Sequence, residues 1–293
     1  MRKRWIGPAL VIDAPAKLNL HLSVLGRRPD CYHDLETVMV SIGLYDTLSF
    51  EPTVSGIALC CNCRDGTLPA DNSNLVLRAA HRFAQAAKTD CGARIRLTKR
   101  IPMEAGMGGG SSDAAATLVG LNTFWNLGWP TERLHEIAAE LGSDVNFFID
   151  STALAVCRGR GELIEPRPLG QPMWFVIAKP STGLSTASVF RQLDLKRCGS
   201  SDCEPLLHGC ERGDTGRVAA LLSNDLETPS RALAAELSEL LERFSGLSTA
   251  GSLMTGSGSA CYGIAQNREQ ANRAARVLRQ RGSSEVYVVR TAV

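Results

Sequence analysis

From Lys17 the chain alternates polar and apolar positions, Lys-Leu-Asn-Leu-His-Leu-Ser-Val-Leu. Side chains of a strand point to opposite faces in turn, so Leu18, Leu20, Leu22 and Val24 share one face and Lys17 and Asn19 the other. Residues 26–30, with Gly26 and Pro29, have turn chemistry, and alternation resumes at Val38, Val40 and Ile42, which predicts a strand-rich opening layer. Leu75, Val76, Ala79, Ala80 and Phe83 then recur at helical spacing behind the capping residues 72–74, and Ala93, Ile95 and Leu97 alternate as a further strand. That strand runs into the glycine-rich stretch 102–113, after which Ala114, Leu118, Leu121 and Trp125 form the apolar stripe of a helix ending at Gly128. Thr131 is placed to cap the next helix, whose Leu134, Ile137, Ala138 and Leu141 face inward, with Gly142 at the left-handed position past its end.

The pattern restarts after Pro166 and Pro168 with the apolar run 173–178, which sets a domain boundary near residue 165: a first domain over 1–165 and a second over 166–293. Helices are expected at 186–193, 215–222, 231–244 and 269–280. Strands are expected at 252–255, 260–265 and 286–290. Residues 196–213 read as an irregular surface connection, and no internal repeat is present. The fold class is α+β, in two lobes.

Size and charge narrow the function. A chain of 293 residues exceeds the length at which one core grows efficiently. Its 44% apolar and 21% charged residues are ordinary for a globular protein, which argues against disorder and membrane spans. The net charge is only +2, so no global field recruits nucleic acid or an anionic membrane, and an anion must be met by a local site. The basic start Met1-Arg2-Lys3-Arg4 is followed by Pro8 and Asp13, which interrupt the apolar run of an export signal; a cytoplasmic protein is expected. The ten cysteines are scattered through predicted strands and helices, which suits reduced thiols.

The glycine run offers such an anion site. A helix N-terminus leaves several amide N–H groups unpaired and carries roughly half a positive charge, so a phosphate can sit there if the backbone approaches closely. Gly106, Gly108, Gly109 and Gly110 permit that approach, Ser111 and Ser112 add hydroxyl donors, and Asp113 is placed in the first helical turn. Three better-known loops are excluded. A P-loop needs lysine before its Ser/Thr, and Gly110 stands there; a dinucleotide fingerprint fails at Ser111; and no G-x-S-x-G elbow exists here. A tight connection without a ligand is the competing reading of a lone glycine run.

The surrounding residues favour the phosphate. Pro102, a short spacer, the glycines, Ser111-Ser112 and the alanines that follow resemble the second motif of the GHMP kinases. Two further stretches, 14–20 (Ala-Pro-Ala-Lys-Leu-Asn-Leu) and 254–260 (Met-Thr-Gly-Ser-Gly-Ser-Ala), are similar to that superfamily's N-terminal and C-terminal motifs, in the right order. Residues 28–33 (Arg-Pro-Asp-Cys-Tyr-His), 141–145, 158–162 and 224–227 resemble the branch whose substrate is a cytidine-diphosphate-linked methylerythritol, a non-mevalonate isoprenoid intermediate.

The resemblance spans nearly the whole chain. It implies a ribosomal-S5-like lobe and a ferredoxin-like lobe, with ATP and Mg2+ used to phosphorylate the 2-hydroxyl of that small molecule. It places ATP on Pro102, Met103, Glu104, Ala105, Gly106, Met107, Gly108, Gly109, Gly110, Ser111 and Ser112. Asp144 resembles the family's general base and Lys17 its catalytic lysine, an ammonium near Asp144 keeping the acid ionised. Without the resemblance Asp144 reads as a turn or capping residue and Lys17 as a solvated strand lysine. Asn19 either binds substrate or holds Lys17; Tyr32, His33 and Phe190 carry over as cytosine-recognising groups, although a helical aromatic such as Phe190 is more often core. Gly256 and Ser257 bring a second tight turn to the substrate region. The metal ligands are not legible, with Ser111 or Ser112 as candidates by analogy.

The pattern departs from the family at three places. Cys31 stands where glycine is usual, a strain if φ is positive there; Glu104 replaces a small residue and is expected to point away from ATP; Asn146 replaces a common proline. Cys60 and Cys63 form one C-x-x-C, and Cys198, Cys203, His208 and Cys210 are further zinc-type residues. No second C-x-x-C exists, so zinc is not expected. Two alternatives stay open: a GHMP kinase for another alcohol, and an ATP-binding relative that has lost catalysis, against which the presence of both Lys17 and Asp144 argues.

Overall fold

The computed structural model describes residues 1–63, 68–199, 202–283 and 285–292. An exposed strand β1, Arg2–Ile6, folds back on β2, Ala9–Arg27, with Arg2 opposite Asp13. From Ala14 to Val24 every residue of β2 is buried, so both faces of the strand are covered. The polar set Lys17, Asn19, His21 and Ser23 is therefore buried too and must find hydrogen-bond partners. β3, His33–Glu51, is as long as β2 and is followed by β4, Ile57–Cys63. Helix α1, Leu75–Ala87, starts at Asn74, whose side chain accepts from Val76 N. Next come β5, Ala93–Lys99, and the helices α2, Gly109–Phe124, α3, Thr131–Leu141, and the short α4, Val145–Ile149.

The second half opens with β6, Leu154–Gly159, β7, Leu163–Pro166, β8, Trp174–Lys179, and α5, Thr186–Arg191. It continues with α6, Glu204–Arg212, α7, Thr215–Ala220, β9, Ser223–Asn224, α8, Glu227–Leu233, and α9, Ala235–Ser245. Strands β10, Gly251–Met254, and β11, Cys261–Ala265, then helix α10, Arg268–Gln280, and strand β12, Glu285–Arg290, complete it.

Two compact units share this chain without a single cut: residues 1–16, 44–101 and 108–151 in the first, and 17–43, 102–107 and 152–293 in the second. Their interleaving follows from β2 and β3, each of which is long enough to serve one unit with one end and the other unit with the other end. In the first unit the strand order is β1-β2-β3-β5-β4, with β5 antiparallel to β3 and parallel to β4. Helix α1 packs on α2, and α4 packs on both α2 and α3. In the second unit the start of β3 pairs with β6, and β9 joins β2 in parallel at His21 and Leu22. A separate antiparallel sheet there has the order β10-β11-β8-β12. Its apolar core gathers Val176, Ala178, Phe244, Met254, Cys261, Ala275 and Leu278.

Four local expectations need correction. Thr131 is the first residue of α3, and Pro130, which has no side chain able to cap, precedes it. Gly142 is extended, with φ 168° and ψ 155°, because its N–H closes the helix on Ala138 O and the chain leaves straight towards Asp144. Residues 196–213 contain α6, where Pro205 sits in the first turn as a starter and Leu206, Leu207 and Cys210 are buried. The single helix expected at 231–244 is two, split at Ala234, whose backbone is extended at φ −140°.

Candidate functional site

The buried polar residues of β2 are paired within the second unit. Lys17 is 3% exposed, and its ammonium donates to Asn19 Oδ1 at 2.6 Å and to the carbonyl of Gly106 at 2.7 Å. The Lys17 backbone N–H bonds Met107 O at 3.0 Å, so the first motif grips the glycine loop by backbone and side chain together. Asn19, in turn, donates from Nδ2 to Thr37 Oγ1 at 2.8 Å and from its backbone N–H to Thr255 Oγ1 at 3.0 Å; its carbonyl accepts from Tyr262 OH. A strand lysine paired in this way is no solvated edge residue.

The loop 102–107 lies against the third motif. Ser259 N donates to Glu104 O and Ala260 N to Ala105 O, both at 3.2 Å. Glycine is required at the crossing: a Cβ on Gly106, whose φ is +70°, would stand 2.1 Å from Thr255 O, and one on Gly256 would stand 3.1 Å from Lys17 Nζ. The turn at Gly256 and Ser257 is clamped from outside, since Asn224 Nδ2 donates to Gly256 O at 2.8 Å and to Met254 O at 2.9 Å. Ser230 Oγ reaches Ser257 O, and Thr186 bonds the Ser257 hydroxyl at 2.8 Å. The resemblance pointed to Gly256 and Ser257; Thr255 and Asn224 had no signal beyond membership of the motifs, and Thr37, which holds Asn19, lies outside them and had none.

On the first unit, Gly108 takes φ +69° and opens α2 at Gly109. Ser112 Oγ is buried with no hydrogen-bond partner among the described residues, an orphan that fits a bound polar group. Asp113 is not in the first helical turn. It is a buried partner of Lys99, at 2.6 Å, and Lys99 also meets Asp46 at 2.5 Å. Asp46 Oδ1 accepts the backbone N–H groups of Arg100 and Ile101. Burial pushes the Asp113 carboxyl up to about 8 against the pull of Lys99. Burial alone would lower the Lys99 pKa, and the two carboxylates more than reverse it. A Cβ on Gly109 would lie 2.8 Å from Lys99 Nζ, so the glycine admits this ion cluster beneath the helix start.

Asp144 stands at the N-cap position of α4, half-buried, and its side chain makes no capping bond, so the capping reading does not apply. In the second unit, His33 stacks on Phe190 with ring centroids 4.9 Å apart and planes at 23°. Phe190 also packs on the core, which joins both readings of it. Tyr32 is 54% exposed under the Arg160 guanidinium, 5.0 Å from its ring centroid. Cys31 has φ +68°, the backbone that favours glycine, and Glu104 has φ +51° with its carboxylate set beside Gly183. Among the described residues no group of three or more His, Cys, Asp or Glu gathers in the geometry of a metal site. Among the described residues no two cysteines are joined in a disulfide, and burial pushes the thiols of Cys203 and Cys210 up to about 12.

Fold and loop geometry define a class, and comparison with known proteins agrees. The family model for the GHMP kinases N terminal domain matches residues 74–153 and that for the GHMP kinases C terminal matches 206–284. A 4-diphosphocytidyl-2-C-methyl-D-erythritol kinase of Pelotomaculum thermopropionicum is 42% identical over 95% of this chain and 96% of its own, and one of Shouchella clausii is 39% identical over 95% and 93%. A crystal structure of 4-(cytidine 5'-diphospho)-2C-methyl-D-erythritol kinase superposes with a TM-score of 0.83 at 36% identity, covering 97% of this chain and all of that one. A homoserine kinase from Cytophaga hutchinsonii, at 17% identity and TM-score 0.75, shares the fold. The chain belongs to the 4-diphosphocytidyl-2-C-methyl-D-erythritol kinase family of GHMP kinases.

Proposed function

We propose that this kinase transfers the γ-phosphoryl group of ATP to the 2-hydroxyl of 4-diphosphocytidyl-2-C-methyl-D-erythritol, in the synthesis of isoprenoid precursors. ATP with Mg2+ supplies the phosphoryl group when bound. Residues 102–112 hold the phosphates: the turns at Glu104, Gly106 and Gly108 bring backbone close, and Ser112 offers an uncommitted hydroxyl. Asp144 would take the proton as the acceptor O–H bond breaks, the new O–P bond forms and the bond from the γ-phosphorus to the bridging oxygen breaks to release ADP, and the Lys17 ammonium would stabilise charge on the reacting oxygens. Tyr32, His33 and Phe190 recognise the cytosine by stacking and hydrogen bonding, while Gly256 and Ser257 shape the substrate turn.

The observation that carries this reading is the Lys17 ammonium, desolvated and held 2.7 Å from the carbonyl of Gly106 in the glycine loop. Lys99 is held by two carboxylates beneath the start of α2, whereas Lys17 is set by the acceptors Asn19 Oδ1 and Gly106 O against the glycine loop, which supports a role towards the anionic substrate. We further propose a domain division near residue 165, supported by family matches that fall on either side of it, and a cytoplasmic location. No helix among the described residues is long and apolar enough to cross a membrane.

The test is ATP-dependent ADP release with Mg2+, comparing 4-diphosphocytidyl-2-C-methyl-D-erythritol with mevalonate, homoserine and galactose. Turnover with the cytidylyl substrate alone is expected; turnover with another alcohol would discard the substrate. Asp144→Asn is expected to lower kcat about a hundredfold or more while ATP still binds, and an undiminished kcat would remove Asp144 as the base.

A further inference from the structure

The two ends of an asparagine amide are alike in size and opposite in hydrogen-bonding sense, so its partners decide which way it points. Thr37, on β3, has one hydroxyl proton and gives it to the carbonyl of His21 at 2.6 Å. Towards Asn19 the Thr37 oxygen can then only accept, and Asn19 Nδ2 donates to it at 2.8 Å. The amide oxygen is thereby turned to Lys17 Nζ at 2.6 Å. On the other side the Thr255 hydroxyl accepts the Asn19 backbone N–H at 3.0 Å and lies 3.2 Å from the same amide oxygen. Thr37, Asn19, Lys17 and Thr255 are between 0% and 3% exposed, so water does not substitute for a lost partner.

We propose that Thr37 is a positioning residue for the reaction: by committing its proton to His21 it fixes the orientation of the Asn19 amide, and the amide sets the Lys17 ammonium. Thr255 steadies the same amide from the third motif. The inference rests on the reading of Lys17 as the catalytic lysine. Valine at position 37 keeps the shape and removes the acceptor. Asn19 Nδ2 then loses its partner, the amide is held through its oxygen alone and is free to rock, and the acceptor that Asn19 offers the Lys17 ammonium is no longer fixed in place.

Steady-state kinetics of the full chain with ATP and 4-diphosphocytidyl-2-C-methyl-D-erythritol test this on Thr37→Val, Thr37→Ser and Lys17→Met. Thr37→Val is expected to lower kcat about tenfold to a hundredfold with both KM values nearly unchanged, since a misplaced group costs rate and not ground-state binding. Thr37→Ser, which keeps the hydroxyl, should restore most of the loss. Wild-type kcat in Thr37→Val, or a serine variant as slow as the valine one, overturns the proposal; a purely structural Thr37 would lower stability and leave kcat of the folded enzyme intact. If Lys17→Met keeps wild-type kcat, the lysine assignment falls and the positioning role with it. If Lys17→Met is inactive and Thr37→Val is unaffected, the positioning role alone falls. Should Thr37→Val not fold, Thr255→Val, which loosens the same amide, is read by the same criteria.

Discussion

At position 31 a side chain with a Cβ occupies a backbone that L-residues avoid, φ +68°. The left-handed conformation costs roughly 1–2 kcal/mol, and part of that is offset by the greater unfolded-state freedom of glycine. Cys31→Gly is therefore expected to stabilise the protein by a few tenths to about 1 kcal/mol in urea titration, and a loss of stability would show that the thiol makes a compensating contact. Glu104, at φ +51°, is exposed beside Gly183. Glu104→Gly should leave the KM for ATP unchanged, and a large drop would mean that the carboxylate repels the nucleotide. Asp113 titrates in the folded protein at about 8, above its ordinary carboxylate value, because it is buried. A raised pKa favours the folded state at low pH, and that contribution is lost as pH rises through about 8. Melting temperature should thus fall from about pH 4, where the unfolded carboxyl ionises, to about pH 8 and level off above it, and Asp113→Asn should flatten that decline; an unchanged slope would mean that Asp113 is ionised throughout.

Among the elements, α2 bears the closest constraints. A Cβ on Gly120 would lie 2.4 Å from the Phe50 ring, so the helix meets β3 at a position with room for hydrogen alone. Gly120→Ala is expected to destabilise by about 1–3 kcal/mol through overpacking, with kcat and KM of the folded fraction preserved. Gly106→Ala differs in kind. Its added Cβ collides with the backbone at Thr255 O, and the loop that receives Lys17 must shift, so turnover should collapse along with stability. Equal loss of stability in the two variants with activity lost in neither would show that the loop at Gly106 has no part in the reaction.

For the molecule as a whole, each compact unit is assembled from separate stretches of chain, and β2 and β3 supply both. Local damage in either long strand is therefore felt in two cores. Among the described residues no disulfide joins any of the ten cysteines, several of which are deeply buried. The melting temperature should be the same with and without a thiol reductant, and a fall on reduction would reveal a disulfide.

The sequence by itself determined the alternation of β2, the helix start at Asn74, the strand–glycine loop–helix order, and three motifs that place the chain among small-molecule kinases. These are properties of single segments, set by periodicity and by backbone freedom at glycine. It did not determine that β2 is covered on both faces, and so could not show that Lys17 is buried. Nor did it pair Asp113 with Lys99 and Asp46, or bring Thr37 and Thr255 to Asn19, because those partners are 14 to 236 residues apart along the chain. It missed α6 because proline opens that helix and only a few apolar residues mark its inner face. Hydrogen-bond partners and burial belong to the packed tertiary structure, where the cost of leaving a polar group unpaired decides which distant residues must meet.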